Sequence, residues 1–162
     1  MIINECKEIK RLFQRWNFHE DSITAKSDDD YKKELEKSFI KNNLQNIKIH
    51  DPVKNIEEEY LKSSVFLITS KFEAFPLVVL EAKNYGIPIV GFRNEGTLAL
   101  IKDNVDGFIV DTEQEAFLKL EMLISDGELK NSLGQNGRQN VKEFGERNIV
   151  SKWIELFKQL NF

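Results

Sequence analysis

Glycine is missing from the first 85 residues, and all eight glycines of the chain lie from Gly86 onward. Phosphate-cradling loops such as G-x-G-x-x-G or G-x-x-x-x-G-K-[ST] need glycine for tight turns and close backbone approach. None can lie in the first half, and Gly134-Gln135-Asn136-Gly137 lacks the remaining spacing to supply one in the second. Cysteine is reduced to Cys6 alone, which excludes an internal disulfide and a cysteine zinc cluster; Cys6 reads as a small buried apolar residue on a helix. The two histidines, His19 and His50, are too few for a metal set, so no metal ligands are assigned. No apolar run approaches the roughly 18 residues of a membrane span. Met1-Ile2-Ile3-Asn4-Glu5 has neither the basic start nor the long apolar core of a signal peptide, so the expected location is cytoplasmic. Lys and Arg number 23 against 27 Asp and Glu, a net charge of −4. That balance argues against nonspecific nucleic-acid binding, which draws on a positive surface.

What is present suits one globular domain. The chain has 162 residues, 41% of them hydrophobic and 10% aromatic, with apolar clusters along its length, so global disorder is excluded. A chain of this size buries about 68–70% of its unfolded surface, enough for a core without covalent staples.

Apolar spacing then divides the chain into elements. Ile2, Cys6, Ile9 and Phe13 recur as one helix stripe, and Trp16-Asn17-Phe18-His19 alternates as a short strand. Asp28-Asp29-Asp30 opens a helix, acids at its start opposing the macrodipole, with Tyr31, Leu35 and Phe39 on one face and Asn42-Asn43 as its stop. Ile47 and Ile49 mark a second strand, ended by His50-Asp51-Pro52, and Asn55 is placed as the cap of an acidic helix through Leu61. Val65-Phe66-Leu67-Ile68 reads as a central strand buried on both faces. A helix is predicted over Leu77 to Tyr85, with Pro76 in its first turn and Gly86 as its C-terminal cap. Ile87 to Val90 is the next strand, followed by a short helix from Thr97 to Ile101, turn chemistry at Asp103 to Gly107, and a strand at Phe108 to Val110. Helices at about 113–125, 127–143 and 146–160 finish the chain, the last with Ile149, Val150, Trp153, Ile154, Phe157 and Leu160 as its apolar face.

Alternating strands and helices predict an α/β fold: a parallel, Rossmann-like sheet of about five strands with helices on both faces. Ligands of such sheets bind beyond the carboxyl ends of the strands, which directs attention to the loops at 50–54, 70–76 and 91–96. In the second loop stands Glu73, and eight positions on, one turn into the helix, stands Glu81. Residues 77 to 80 are apolar all round, so this helix is expected to be largely buried, and a carboxylate there needs a partner, either a basic side chain or a ligand's hydroxyls. Taken singly, Glu81 reads first as an exposed or paired helix acid and Glu73 as a solvated loop acid. Free N–H groups at Leu77 and Val78 would make an anion site at the helix start. A carboxylate pair beside such a site suits a ligand with both hydroxyls and phosphate, and a nucleotide sugar has both.

From Ser70 to Val110 the sequence resembles the nucleotide-sugar-binding half of the retaining glycosyltransferases of family four, which have the two-domain GT-B fold. The resemblance is carried by Ser70, Glu73, Glu81-Ala82, Gly86, Ile87-Pro88-Ile89-Val90, Gly96 and Asp106-Gly107-Phe108-Ile109-Val110, with weaker flanks at Asn46 to Asn55 and Gly134-x-x-Gly137-Arg138. It implies that residues 1–162 are a single donor-binding domain, one half of a GT-B fold, transferring a hexose from a nucleotide-diphosphate sugar to a polysaccharide or lipid-linked acceptor. By the same resemblance Glu81 accepts from the ribose hydroxyls and Glu73, the catalytic candidate, orients the donor sugar. Backbone N–H groups of Phe75, Leu77 and Val78 touch sugar or diphosphate, and Pro52 and Val53 lie near the base. The family needs no metal ion or other cofactor; helix-end amides and basic residues stabilise the departing diphosphate.

The chain departs from the family pattern in several places. The acceptor-binding N-terminal half, and the arginine and lysine that clamp the diphosphate, are expected to lie outside these residues, so a separate N-terminal half is the implied partner. Glu20-Asp21-Ser22-Ile23 replaces a Gly-x-Gly loop, and Asp51 and Ala74 stand where glycine is common. Lys71 and Arg93 are the nearest cations by sequence, each either a surface cation with no ligand or a partial stand-in for the clamp, and Asn94-Glu95-Gly96 is either a loop approaching the sugar or a plain turn. A non-catalytic remnant or interaction module of the same fold is the alternative, marked by exposed apolar residues on the face that would meet the other half. A response-regulator-like domain built on Asp28, Asp29 and Asp51 leaves the Glu73 to Gly107 region unexplained.

Overall fold

The fold is given by a computed structural model, which describes residues 2–3, 28–41 and 53–160. The expectations for Cys6 to Phe13, Trp16 to His19, Glu20 to Ile23, Ile47, Ile49 and His50 to Pro52 lie outside the described residues. Strand β1 (Ile2–Ile3) precedes helix α1 (Asp28–Lys41). Then come α2 (Ile56–Lys62), β2 (Val65–Ile68), α3 (Leu77–Asn84), β3 (Ile89–Phe92), α4 (Glu95–Leu100) and β4 (Gly107–Val110). Helices α5 (Glu113–Ser125) and α6 (Gly127–Asn140), a 3-10 turn (Val141–Phe144) and α7 (Glu146–Gln159) complete the chain.

Strands β2, β3 and β4 lie side by side and parallel, with Leu67 opposite Val90 and Val90 opposite Phe108. These are three of the five strands expected; the other two fall outside the described residues. Ile2 is a correction. It belongs to no helix stripe but, with Ile3, pairs antiparallel against Phe66 and Val65. Two β-branched residues here satisfy backbone groups that the outer edge of β2 would otherwise leave open.

Successive strand residues point to opposite faces, and both faces are covered. Val65, Leu67, Val90, Phe108 and Val110 pack under Ala116, Phe117, Leu120 and Leu123 of α5 and Leu133 of α6. On the other side Phe66, Ile68, Ile89 and Ile109 pack against Tyr60 of α2, Val79 and Ala82 of α3 and Leu100 of α4. Burial on both sides explains why these strands read as unbroken apolar runs.

Boundaries shift where local chemistry outweighs apolar pattern. Strand β3 runs two residues later than expected: the Pro88 carbonyl accepts from Phe66 N–H at 3.0 Å, but the ladder with β4 spans Ile89 to Phe92. Gly91 belongs inside it, because a Cβ there would lie 2.8 Å from Ile101 Cδ1. Helix α4 starts at Glu95 instead of Thr97, for Asn94 is its N-cap: the Asn94 side chain accepts from Thr97 N–H and Thr97 Oγ1 accepts from Asn94 N–H, a reciprocal capping box. Asn55 stands at the N-cap position of α2 but makes no capping bond; its Nδ2 donates to Glu58 Oε1 instead. Helix α3 ends as expected, with Gly86 at φ +71° and its N–H on the Lys83 carbonyl.

Candidate functional site

The carboxyl ends of the three parallel strands bring together the loops that follow them. The strap after β2 is tied down from β3. Asn94 Nδ2 donates to the Ser70 carbonyl at 2.8 Å, and Gly96 N–H donates to the Glu73 carbonyl at 2.8 Å. Gly96 has no room for a side chain, since a Cβ would lie 2.6 Å from the Glu73 oxygen and 2.7 Å from Pro76 Cδ. The segment Asn94-Glu95-Gly96 is therefore more than a plain turn: it fixes the backbone of the strap that carries Glu73, whose side chain is half-buried.

Helix α3 leaves this strap at Leu77. Its first N–H groups precede any acceptor inside the helix, and Pro76 at the N-cap offers no side-chain bond. The expectation of a largely buried α3 is corrected. Leu77 is 62% exposed and Val78 40%, and Glu81 shares their open side, while Val79, Ala82 and Lys83 face inward. The sheet covers only one side of the helix, so an all-round apolar first turn still leaves half its surface free. Phe72, at 91% exposure, and Phe75, at 48%, extend the open apolar rim along the strap. Phe75 meets Phe144 edge-on, with centroids 6.0 Å apart.

The charge buried on α3 is Lys83, not Glu81. Its Nζ donates to the Leu100 carbonyl and to Asp106 Oδ2, the latter at 2.6 Å. Asp106 also accepts from Lys102 N–H and from Asn140 Nδ2. Burial pulls the Lys83 ammonium below the usual lysine range, and the Asp106 carboxylate opposes that. Sequence reasoning passed over this pair, although Lys83 lies four positions from Val79, on the inward stripe.

Glu81 does have a partner. Its Oε2 accepts the Tyr60 hydroxyl at 2.8 Å, and Tyr60 stacks on Tyr85 with ring centroids 5.2 Å apart. Burial, then the bond to Glu81, pushes the Tyr60 hydroxyl well above the usual tyrosine range, so it stays a donor. Tyr60 was not among the residues singled out, yet it is the one large aromatic in the acidic α2. Val53, 41% exposed, lies just before that helix.

Of the two cations considered as a stand-in clamp, Arg93 is engaged. Its Nε and an Nη donate to the two oxygens of Asp111, at 2.6 and 3.2 Å, across the ends of β3 and β4. That fork raises the Arg93 guanidinium and holds the Asp111 carboxyl below the usual range. Lys71 also has an interaction partner.

The second glycine motif is a packing device. A Cβ on Gly134 would lie 2.1 Å from the Gly86 carbonyl oxygen, and one on Gly137 would lie 3.3 Å from Lys83 Cγ. Arg138 Nε donates to the Asn84 carbonyl at 3.1 Å. Helix α6 thus lies close against the end of α3.

Residues 25–140 match the sequence profile of the family described as Glycosyl transferases group 1. The chain belongs to that family.

Among curated relatives of this group 1 domain is the amylovoran biosynthesis glycosyltransferase AmsD of Erwinia amylovora, 32% identical over 157 residues that cover 93% of this chain and 44% of that protein. A Campylobacter jejuni alpha-1,4-N-acetyl-D-galactosaminyltransferase acting on a diphospho-undecaprenol-linked saccharide is 31% identical over 67% of the chain and 31% of its own length. The chain thus spans less than half the length of these relatives. Among solved structures, the C-terminal domain of the group 1 glycosyl transferase LpcC from Francisella tularensis is 28% identical, with a TM-score of 0.60, covering 70% of this chain and 61% of that one. Anabaena Alr3699/HepE, solved with UDP-glucose, is 21% identical with a TM-score of 0.73 over 94% of this chain and 43% of that one, a likeness of fold. The α/β architecture is that of GT-B glycosyltransferases.

Proposed function

We propose that this group 1 domain is the donor-binding half of a retaining family four glycosyltransferase. In this reading it binds a nucleotide-diphosphate sugar for hexosyl transfer to a polysaccharide or lipid-linked acceptor, and a second half supplies the acceptor site. The carrying observation is Glu81: a carboxylate on the open side of α3, already ordered by Tyr60, one turn beyond the amides that open the helix at the strap carrying Glu73. The relatives' names support a saccharide acceptor, and the UDP-glucose complex of a protein of like fold supports the donor class.

Glu81 accepts from the ribose hydroxyls of the donor. Glu73 accepts from hydroxyls of the sugar and sets its orientation. The N–H groups of Phe75, Leu77 and Val78 donate to sugar and diphosphate oxygens, where negative charge grows as the diphosphate leaves, and Val53 lies by the base. The chemistry needs no metal ion, because donors take up that charge. No helix among the described residues is long and apolar enough to cross a membrane, and the proposed location is the cytoplasm.

Titration with uridine, adenosine and guanosine diphosphates tests the reading. One of them binds the parent chain, and Glu81→Ala weakens it by about tenfold or more, the scale of a hydrogen bond to a charged group. Binding that ignores Glu81→Ala defeats the assignment. A second reading, an interaction module, is favoured by the open apolar rim of Phe72, Phe75, Leu77 and Val78; absence of binding at millimolar concentration supports it. Transfer by these 162 residues alone is expected to be slow or absent, because a cleft between two halves must close over the donor.

A further inference from the structure

Glu81 is part of a clasp between two helices. Tyr60 of α2 donates to Glu81 of α3, and the hydroxyl of Tyr85, beyond the end of α3, is raised by burial and then by the Glu57 carboxylate of α2. Glu57 and Tyr60 are three apart on α2, and Glu81 and Tyr85 four apart along α3, spacings that place each pair on one helix face. Beside that bond the rings of Tyr60 and Tyr85 stack with planes 14° apart. Tyr60 is 3% exposed, so its hydroxyl approaches Glu81 from the protein side.

A carboxylate has two acceptor oxygens. With Oε2 taken by Tyr60, Oε1 is left for a ligand, and the side chain that would otherwise lose rotamer freedom on binding is already ordered. We propose that Tyr60 is a positioning residue for ribonucleoside diphosphate recognition: its hydroxyl fixes Glu81 so that Oε1 meets a ribose hydroxyl, which makes the ribose diol count in affinity. This rests on the reading that Glu81 meets the ribose.

The test compares the bound ribonucleoside diphosphate with its 2′,3′-dideoxy counterpart on the parent, Tyr60→Phe and Glu81→Gln. The parent prefers the ribose form. Tyr60→Phe keeps the ring and its stack, holds its affinity for the dideoxy form, and loses affinity for the ribose form by about fivefold, the scale of one hydrogen bond. A purely structural role for Tyr60 weakens both ligands alike and overturns the proposal. If Glu81→Gln loses the preference while Tyr60→Phe retains it, Tyr60 is excluded and the role of Glu81 stands. If Glu81→Gln retains the preference, or the parent binds neither ligand, the ribose reading itself fails and takes the inference with it. Should Tyr60→Phe not fold, ring-labelled tyrosine in the parent decides: the Tyr60 Cζ resonance moves on saturation with the ribose form and not with the dideoxy form. A resonance that stays in place with both overturns the proposal.

Discussion

Lys83 and Asp106, 23 positions apart in the chain, form an ion pair at 2.6 Å in which neither side chain reaches solvent, Lys83 being 1% and Asp106 0% exposed. It joins α3 to the turn before β4, and through Asn140 Nδ2 to the end of α6. Removing one partner of a buried pair leaves the other charge unmatched, a loss of about 3–5 kcal/mol. Lys83→Met alone is expected to destabilise on that scale. Combined with Asp106→Asn, the total should fall well short of the sum of the single changes, because the stranded charge is gone. Denaturant unfolding of the four proteins of that cycle measures the coupling; additive losses would show that the pair does not act as a unit.

Gly134 and Gly127 open a direct comparison on one helix. An alanine at Gly134 would place its Cβ 2.1 Å from the Gly86 carbonyl oxygen, while at Gly127 a Cβ meets nothing within 4 Å. Overpacking against backbone costs about 1–3 kcal/mol or more, and α6 must move off α3 to relieve it. Gly127→Ala is expected to be neutral or stabilising by up to about 1 kcal/mol, since alanine restricts the unfolded chain. Thermal melting of both variants checks the contrast, and equal melting temperatures would contradict it.

Gly96→Ala should separate binding from stability. Its Cβ would strike the Glu73 carbonyl and Pro76 Cδ, which forces the strap away from α4 and breaks the Gly96 N–H bond to Glu73. The expected result is a loss of nucleoside diphosphate affinity of about tenfold or more, beyond any shift in melting temperature. Titration of the folded variant measures it; unchanged affinity would show that the strap's backbone has no part in binding.

Alkaline pH should loosen the clasp between α2 and α3. Tyr60 is raised above its ordinary value, mainly by burial and then by its bond to Glu81, with the nearby Tyr85 adding to it. An acid raised in the folded state is favoured there in its neutral form. Its contribution is full below the unfolded value of about 10 and is lost as pH climbs toward the folded value. The stability difference between the parent and Tyr60→Phe is therefore expected to be level below about pH 10 and to move against the parent above it. Denaturant midpoints across that range read the trend, and a difference that stays level throughout would contradict it.

Much of the architecture was legible because both faces of the sheet are covered. The β2 strand at Val65–Ile68 was read to the residue from an unbroken apolar run, and the α5 helix at Glu113–Ser125 was placed at about its observed bounds. The last helix was legible in position only. Its apolar stripe was read as a face, and Val150, Trp153, Ile154, Phe157 and Leu160 are each about half exposed among the described residues, because amphipathic spacing names a face without naming what covers it. The Ile2–Ile3 strand was missed for a related reason: two residues carry no period, and only the open edge of β2 gives them a ladder.

The order of residues alone determined the alternation of strands and helices, the family pattern from Ser70 to Val110 and the pair of acids, Glu73 in the loop after a strand and Glu81 one turn into the helix that follows. Those depend on local spacing, which a linear chain carries in full. Which side of α3 is buried was decided only by the folded chain, and with it that Lys83 meets Asp106 inside while Glu81 meets Tyr60 at the surface. Partners 21 to 23 positions apart are chosen by how the helices stack on the sheet, and desolvation, which sets the value of every such contact, exists only once that stacking is made.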